Sequence, residues 1–228
     1  MSLTKPKLLD LYCGAGGAGS GYDQAGFDVV GVDISPQPNY PFFFVQMDAL
    51  EFLQQFGHKF DAIHASPPCQ RYSALSSGTN NRVENYPDLL PPTRDLLDRV
   101  GKPYVIENVI GADMREDLLL CGLMFGLKVF RHRKFELGGW KTDAPDHPTH
   151  KGHRVAGWRH GVCYPGDMVA VYGDGGGKGS VQDWQSAMGI GWTSVKKEIA
   201  EAIPPAYTCF IGKELLEWEP HKQPLTLW

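Results

Sequence analysis

Short, nearly continuous apolar runs recur through the first half of the chain, each closed by glycine, proline or an acid. "KLLDLY" ends at the cluster "CGAGGAGSG", and a helical stretch then leads to Ala25 and Gly26. "DVVGVDI" and "FFFVQMD" are two further β-branched or aromatic runs, and "EFLQQFG" after them reads as a short helix. "FDAIHASPP" is a fourth run broken by prolines, "LPPTRDLLDRVG" a helix with Gly101 as its C-cap, and "PYVIENV" a fifth run. Strands that alternate with helices and are apolar on both faces predict a parallel sheet covered on both sides. The expected fold class is therefore α/β, a doubly wound, mostly parallel sheet. In such sheets ligands sit beyond the carboxyl ends of the strands. The glycine cluster, Asp33, Asp48, Pro67 to Cys69 and Glu107 to Val109 are all predicted at that edge.

After Glu136 the texture changes. Residues 138–183 are rich in Gly, His and Trp and show little periodicity, which predicts a small irregular insert. From Trp184 order returns, and "SVKKEIAEAIPPAYTCFIGKELLEW" reads as two helices separated by Pro204 and Pro205. The expected organisation is one domain from 1–137 plus 184–228, with 138–183 as the insert.

Composition narrows the classes. Hydrophobic residues are 42% and charged residues 21% of 228, ordinary for a globular protein. No apolar run approaches the roughly 20 residues that span a bilayer, and "MSLTKPKLLDLY" lacks a signal-peptide pattern. The five cysteines are odd in number and widely spaced, which points to reduced thiols in the cytoplasm rather than a disulfide framework. The net charge of −4 leans against nucleic acid. Its distribution argues the other way: from Lys128 to His160 there are eight basic residues, three acidic ones and five histidines.

Two stretches carry chemistry. "LDLYCGAGGAGSGYDQAGFDVVGVD" is strand, glycine loop, helix, strand, acid, suited to a cofactor whose ribose hydroxyls need an acceptor. Nicotinamide, flavin and adenosylmethionine sites all use such a loop. In "HASPPCQRYS", Pro67 and Pro68 stiffen the main chain beside Cys69. A buried inert thiol does not need that support; a nucleophile aimed at one atom does.

These stretches and three others resemble the DNA (cytosine-5) methyltransferases, in a compact form with a short target-recognition region. "DLYCGAGGAGSGYDQAG" is similar to the first motif of that family, "SPPCQRYS" to the nucleophile motif, "IENV" to the glutamate motif and "RHRKFE" to the arginine motif. "AIPPAYTCFIG" resembles a variant of the last motif. The matches occur in family order and cover residues 6–136 and 184–215. The resemblance implies a Rossmann-like methyltransferase fold and transfer of methyl from S-adenosylmethionine to cytosine C5 in double-stranded DNA. The target base would be flipped out of the helix, and Cys69 would form a covalent adduct with C6. Glu107, Arg131 and Arg133 would complete the catalytic set. Tyr12, Cys13, Gly14, Gly16, Gly17, Asp33, Ile34, Asp48, Ala49, Pro68 and Leu89 would hold the cofactor, and Gln70, Ser73 and Arg82 would face the substrate. A monomer in the cytoplasm of a bacterial or phage-infected cell is expected, with restriction-modification as one setting. The same chemistry on RNA or a free cytosine nucleotide, and a catalytically silent DNA-binding module, are the competing readings.

The chain departs from the family at two places. Val129 stands where the arginine motif opens with glutamine, and Glu201 with Ala202 stands where the last motif carries asparagine. "DHPTHKGH" spaces His147, His150 and His153 three apart, with His160 and Cys163 downstream. Zinc motifs usually show paired cysteines at tight spacing, so no metal is expected, and these histidines are read as DNA-backbone contacts or loop residues.

Overall fold

The structure is a computed structural model that describes residues 4–68, 87–159, 162–172 and 179–218. Five strands, β1 (Lys7–Leu11), β2 (Asp28–Asp33), β3 (Phe43–Gln46), β4 (Ala62–Ala65) and β5 (Tyr104–Asn108), pair in parallel. They match the five predicted apolar runs. Two further strands, β6 (Leu118–Leu120) and β7 (Arg133–Gly138), extend the sheet to the order β3-β2-β1-β4-β5-β7-β6. β7 runs antiparallel to both its neighbours. That reversal positions the site: the first residue of β7 lies at the edge where β5 ends, because Lys134 pairs with Asn108.

Helices cover both faces. α2 (Ala49–Phe56) and α3 (Leu90–Val100) bury Phe52, Leu53 and Leu97 against Leu9, Leu11, Ile63 and Ile106. α1 (Gly17–Ala25) and α6 (Pro205–Glu217) cover the other face, where Tyr22, Phe27, Phe135, Tyr207 and Ile211 pack together. α1 and α6 approach so closely that a Cβ on Gly21 would lie 2.1 Å from the Pro205 carbonyl oxygen. Gly101 ends α3 in the left-handed conformation at φ 68, as predicted.

α4 (Val181–Met188) begins ahead of Trp184, capped by Ser180 and Asp183 in a reciprocal box. With α5 (Lys196–Glu201) it forms a third cluster around Trp184, Met188, Ile190 and Ile199. Val129 belongs to this cluster, so it does core packing here. Among the described residues the predicted insert carries the hairpin β8 (Gly157–Arg159) and β9 (Val162–Tyr164), and its end overlaps the start of α4. Its two ends are rooted in the core: Trp140 is buried with its indole N–H on the Tyr104 carbonyl, and Met168, Ala170 and Val171 are buried too. Among the described residues no helix is long and apolar enough to cross a membrane.

Candidate active site

The glycine loop leaves β1 through Tyr12, the one described non-glycine residue with positive φ (57). A bulky residue there is strained, and the phenol is anchored by a 2.9 Å hydrogen bond with Thr93 on α3. Three glycines that look alike in sequence do different work. Gly14 (φ 48) has open space where a side chain would stand. Gly16 (φ 88) is closed in by Pro41 and Tyr40, and Gly17 by the backbone of Ile203. Gly14 therefore faces the cleft, while Gly16 and Gly17 are small so that other parts of the fold can close on them. α1 starts without a side-chain cap or an acid in its first turn, leaving its first amides for an anionic ligand.

Asp33 ends β2 with both oxygens engaged: one accepts from the Gly14 N–H at 3.1 Å and the other from the Ser35 N–H at 2.9 Å. Each oxygen keeps a lone pair for a further donor. Ile34 beside it is a large apolar side chain left 68% exposed, suited to one face of a flat ring. Asp48 caps α2 by accepting from the Glu51 N–H, with Ala49 buried behind it. Leu89 caps α3 and Pro68 is exposed just past β4. Cys13 is buried, and burial beside Asp10 and Asp33 raises its thiol far above the ordinary range, so it stays protonated and inert. Trp192 latches the loop from the C-terminal segment, donating to the Ala15 carbonyl at 2.7 Å.

Beneath the loop lies a group the sequence reading did not single out. Asp10 is buried and takes a 3.1 Å hydrogen bond from the Tyr40 hydroxyl, while its Oδ1 has no partner among the described residues. Burial pushes its carboxyl up to about 8. The folded state therefore holds this proton where the unfolded chain releases it. Stability from this group is present in full below about pH 4 and is lost as pH rises through about 8. Asp10→Asn is expected to flatten the fall in stability between about pH 4 and about pH 8, a fall of up to ~5 kcal/mol. Urea unfolding of both proteins across that range checks it, and parallel curves would contradict it.

The second half of the site is a buried ion pair. Residue 107 faces Phe135 across the β5–β7 pair, so Arg133, two residues before Phe135, points to the same face as Glu107. Arg133 Nε lies 2.9 Å from Glu107 Oε1, with side chains 18% and 8% exposed. Burial raises the Glu107 carboxyl, and Arg133 and Arg131 pull it back in part. A relay supports this carboxyl from behind: Tyr22 hydroxyl to His64 Nδ1 at 3.0 Å, His64 Nε2 to Ser66 Oγ at 2.9 Å, and Ser66 to Glu107. Burial holds His64 neutral, near 3. The tautomer in which Tyr22 donates to Nδ1 and Nε2–H donates to Ser66 leaves the Ser66 hydroxyl able to donate to the carboxyl. The relay lies in the quoted stretch "HASPPCQRYS", but only the fold reveals that His64 points into the protein.

Asn108, next to Glu107, donates from Nδ2 to the Pro67 carbonyl at 3.0 Å. The strand carrying the glutamate thus grips the main chain two residues before Cys69. Cys69, Gln70, Ser73 and Arg82 lie outside the described residues. Arg131 is placed differently from Arg133. Its guanidinium donates to the carbonyls of Ala200 at 2.6 Å, Ala202 at 2.7 Å and Val171 at 3.3 Å. It ties the α5–α6 junction to the start of β7 and holds backbone where Arg133 holds the glutamate. Glu136, fully buried on β7, is held by a bidentate pair with Arg94 of α3 at 2.8 Å, which fixes the strand's register against the sheet.

No family model matches the chain. It is similar to the Type II methyltransferase M.AgeI of Thalassovita gelatinovora, 28% identical over 74% of this chain and 47% of that protein. It is also similar to M.XorII of Xanthomonas oryzae, 32% identical over 48% of this chain and 29% of that protein. The chain spans less than half the length of the curated relatives it matches. Among solved structures it superposes on the S. pombe Dnmt2 methyltransferase with a TM-score of 0.58 at 14% identity, covering 96% of this chain and all of that one. The Entamoeba histolytica methyltransferase EhMeth gives 0.59 at 12% identity, covering 94% of this chain and 98% of that one. The chain has the doubly wound, Rossmann-like fold of these methyltransferases, and its sequence is similar to that of Type II methyltransferases.

Proposed function

We propose that this chain transfers a methyl group from S-adenosylmethionine to C5 of cytosine in DNA through a covalent adduct of Cys69. The observation that carries the reading is the buried Glu107–Arg133 pair, set at the sheet edge shared with the glycine loop and tied through Asn108 to the main chain leading to Cys69. The residues fit the cofactor. Gly14 leaves open space, Asp33 offers acceptors for ribose hydroxyls, Ile34 an apolar face for adenine, and the start of α1 free amides for a carboxylate. Tyr12, Asp48, Ala49, Pro68 and Leu89 border the same edge. S-adenosylmethionine supplies an electrophilic methyl group there.

The chain's own residues do the rest. Cytosine C5 is a weak nucleophile, and a duplex hides it, so the base must be flipped out at a cost of a few kcal/mol. The Cys69 thiolate adds to C6, and the C5=C6 electron pair moves into the ring. Glu107, its carboxyl raised by burial, in its protonated form gives a hydrogen bond or its proton to N3 and offsets the charge that develops. Arg133 stays beside it to bind O2. After C5 has taken the methyl group, a base removes the C5 proton, the electrons return to the ring, and Cys69 leaves as thiolate. Arg131 serves as a positioning residue through the backbone it holds. Gln70 and Ser73 are assigned to the DNA side on the motif match alone, and Arg82 to a phosphate from its place in the polar stretch that follows.

Tritiated S-adenosylmethionine offered with duplex DNA, RNA and free cytidine nucleotides tests the reading. Label is expected in duplex DNA, on cytosine. Label confined to RNA or nucleotide overturns the DNA substrate, and no label in any of them favours the silent DNA-binding reading.

A further inference from the structure

Four side chains from three separate segments converge beside the start of β7. Cys121 precedes a short 3-10 turn, His132 sits between Arg131 and Arg133, and His147 and His150 lie midway along the irregular part of the insert. Each offers one ligand atom, and the four atoms all lie within 4.8 Å of one another. Cys121 Sγ is 3.3 Å from His150 Nε2, and His132 Nε2 is 3.2 Å from His147 Nε2. A tetrahedral zinc with bonds of ~2.0–2.1 Å to nitrogen and ~2.3 Å to sulfur sets its ligand atoms ~3.3 to ~3.6 Å apart. These two pairs are within a few tenths of an ångström of that spacing, and the remaining separations, all within 4.8 Å, would contract around the ion. The supporting contacts are of the kind metal sites use. His147 Nδ1 is 2.9 Å from the Pro148 carbonyl, so Nδ1 carries the proton and Nε2 turns its lone pair inward. Phe130 stacks on the His150 ring at 4.5 Å and covers one side. The backbone N–H of Met124 donates to the Cys121 sulfur.

We propose that Cys121, His132, His147 and His150 bind a structural zinc ion that staples the insert to the catalytic domain. Four protein ligands close the coordination sphere, so the ion takes no part in the reaction. The site has a mechanical purpose. Residues 139–156 contain no helix or strand, only a bridge from Val155 to Met168. A segment of that length cannot fix itself by burial alone, and a metal supplies what its core does not. Because His132 adjoins Arg133, whose Nη1 donates to the His132 carbonyl at 2.9 Å, the same ion fixes the arginine that holds Glu107. The ligand set differs from the spacing visible in the chain. His153 belongs to another partner, Asp167, and two of the four ligands lie outside the insert.

The test is elemental analysis of the full chain, produced in zinc-supplemented medium and purified without chelator. About one zinc per chain is expected, lost in His147→Ala and in Cys121→Ser and retained in His153→Ala. His147 is exposed, so its variant remains informative should the buried Cys121 variant fail to fold. Replacement by Co(II) is expected to give the visible bands of a tetrahedral ion and a sulfur-to-metal charge-transfer band that Cys121→Ser removes. Only trace zinc in the parent protein with no uptake of Zn(II) or Co(II), zinc retained by His147→Ala, or zinc lost equally from His153→Ala would each overturn the assignment.

Discussion

Glu107→Gln is expected to lower kcat for methyl transfer by about 10²- to 10³-fold, with a much smaller change in cofactor affinity. The size follows from losing one group aimed at charge that develops only in the transition state. Glutamine keeps the shape of glutamate and can still point an N–H at N3, so geometry alone does not explain the loss. It cannot deliver a proton, and its amide nitrogen can turn toward Arg133 Nε, a donor facing a donor. The carboxyl is raised by burial, while Arg133, Arg131 and Ser66 draw it down. Parent activity should therefore fall as pH rises through the raised carboxyl's range, because the protonated form is the working one. The Gln variant should lose that slope along with most of its rate. Single-turnover kinetics on a duplex substrate across pH measure both. A variant within a few-fold of the parent rate would show that Glu107 only balances Arg133.

The same residue marks where the sequence could and could not be read. β1 to β5 were legible because strands buried on both faces are apolar almost throughout, as in Leu8, Leu9 and Leu11 of β1. β7 was not legible as a strand, since "RKFELG" opens with two cations and hides Glu136 in the core. The burial of Glu136 makes sense only with Arg94, which arrives from α3. The motif match could name Glu107 and Arg133, yet their contact depends on an antiparallel register that no local pattern encodes. The glycine loop was recognisable as a loop. Which of its glycines faces the cleft was decided by Tyr40, Pro41 and Ile203, distant in sequence from the loop they close. Arg131 shows the limit from the other side. Its place in the arginine motif suggested substrate contact, whereas its guanidinium reaches the carbonyls of residues 171, 200 and 202. The histidines followed the same rule. Their spacing within the insert gave no reason to expect a metal, while the convergent set draws Cys121 and His132 from the catalytic domain.

Cys69→Ala is expected to reduce methyl transfer by at least about 10⁴-fold, and to abolish a covalent complex with DNA containing 5-fluorocytosine. Fluorine at C5 cannot leave as a proton does, so the reaction stops after addition at C6 and methylation, with enzyme and DNA still joined. The complex survives denaturation in the parent protein and is read directly as a mass shift on a gel. The magnitude is that of removing a nucleophile, for which no neighbouring group substitutes. Three other cysteines have described side chains, and none shows the features of a nucleophile. Cys13 is buried with its thiol held protonated, Cys121 is buried beside His150, and Cys209 lies on α6. Glu107→Gln makes the informative pair. It should still form the adduct, slowly, because the thiolate remains while the offset of ring charge is lost. An adduct in Cys69→Ala, or its absence from the parent under conditions where tritium is transferred to DNA, would remove Cys69 from the mechanism and leave the prolines before it unexplained.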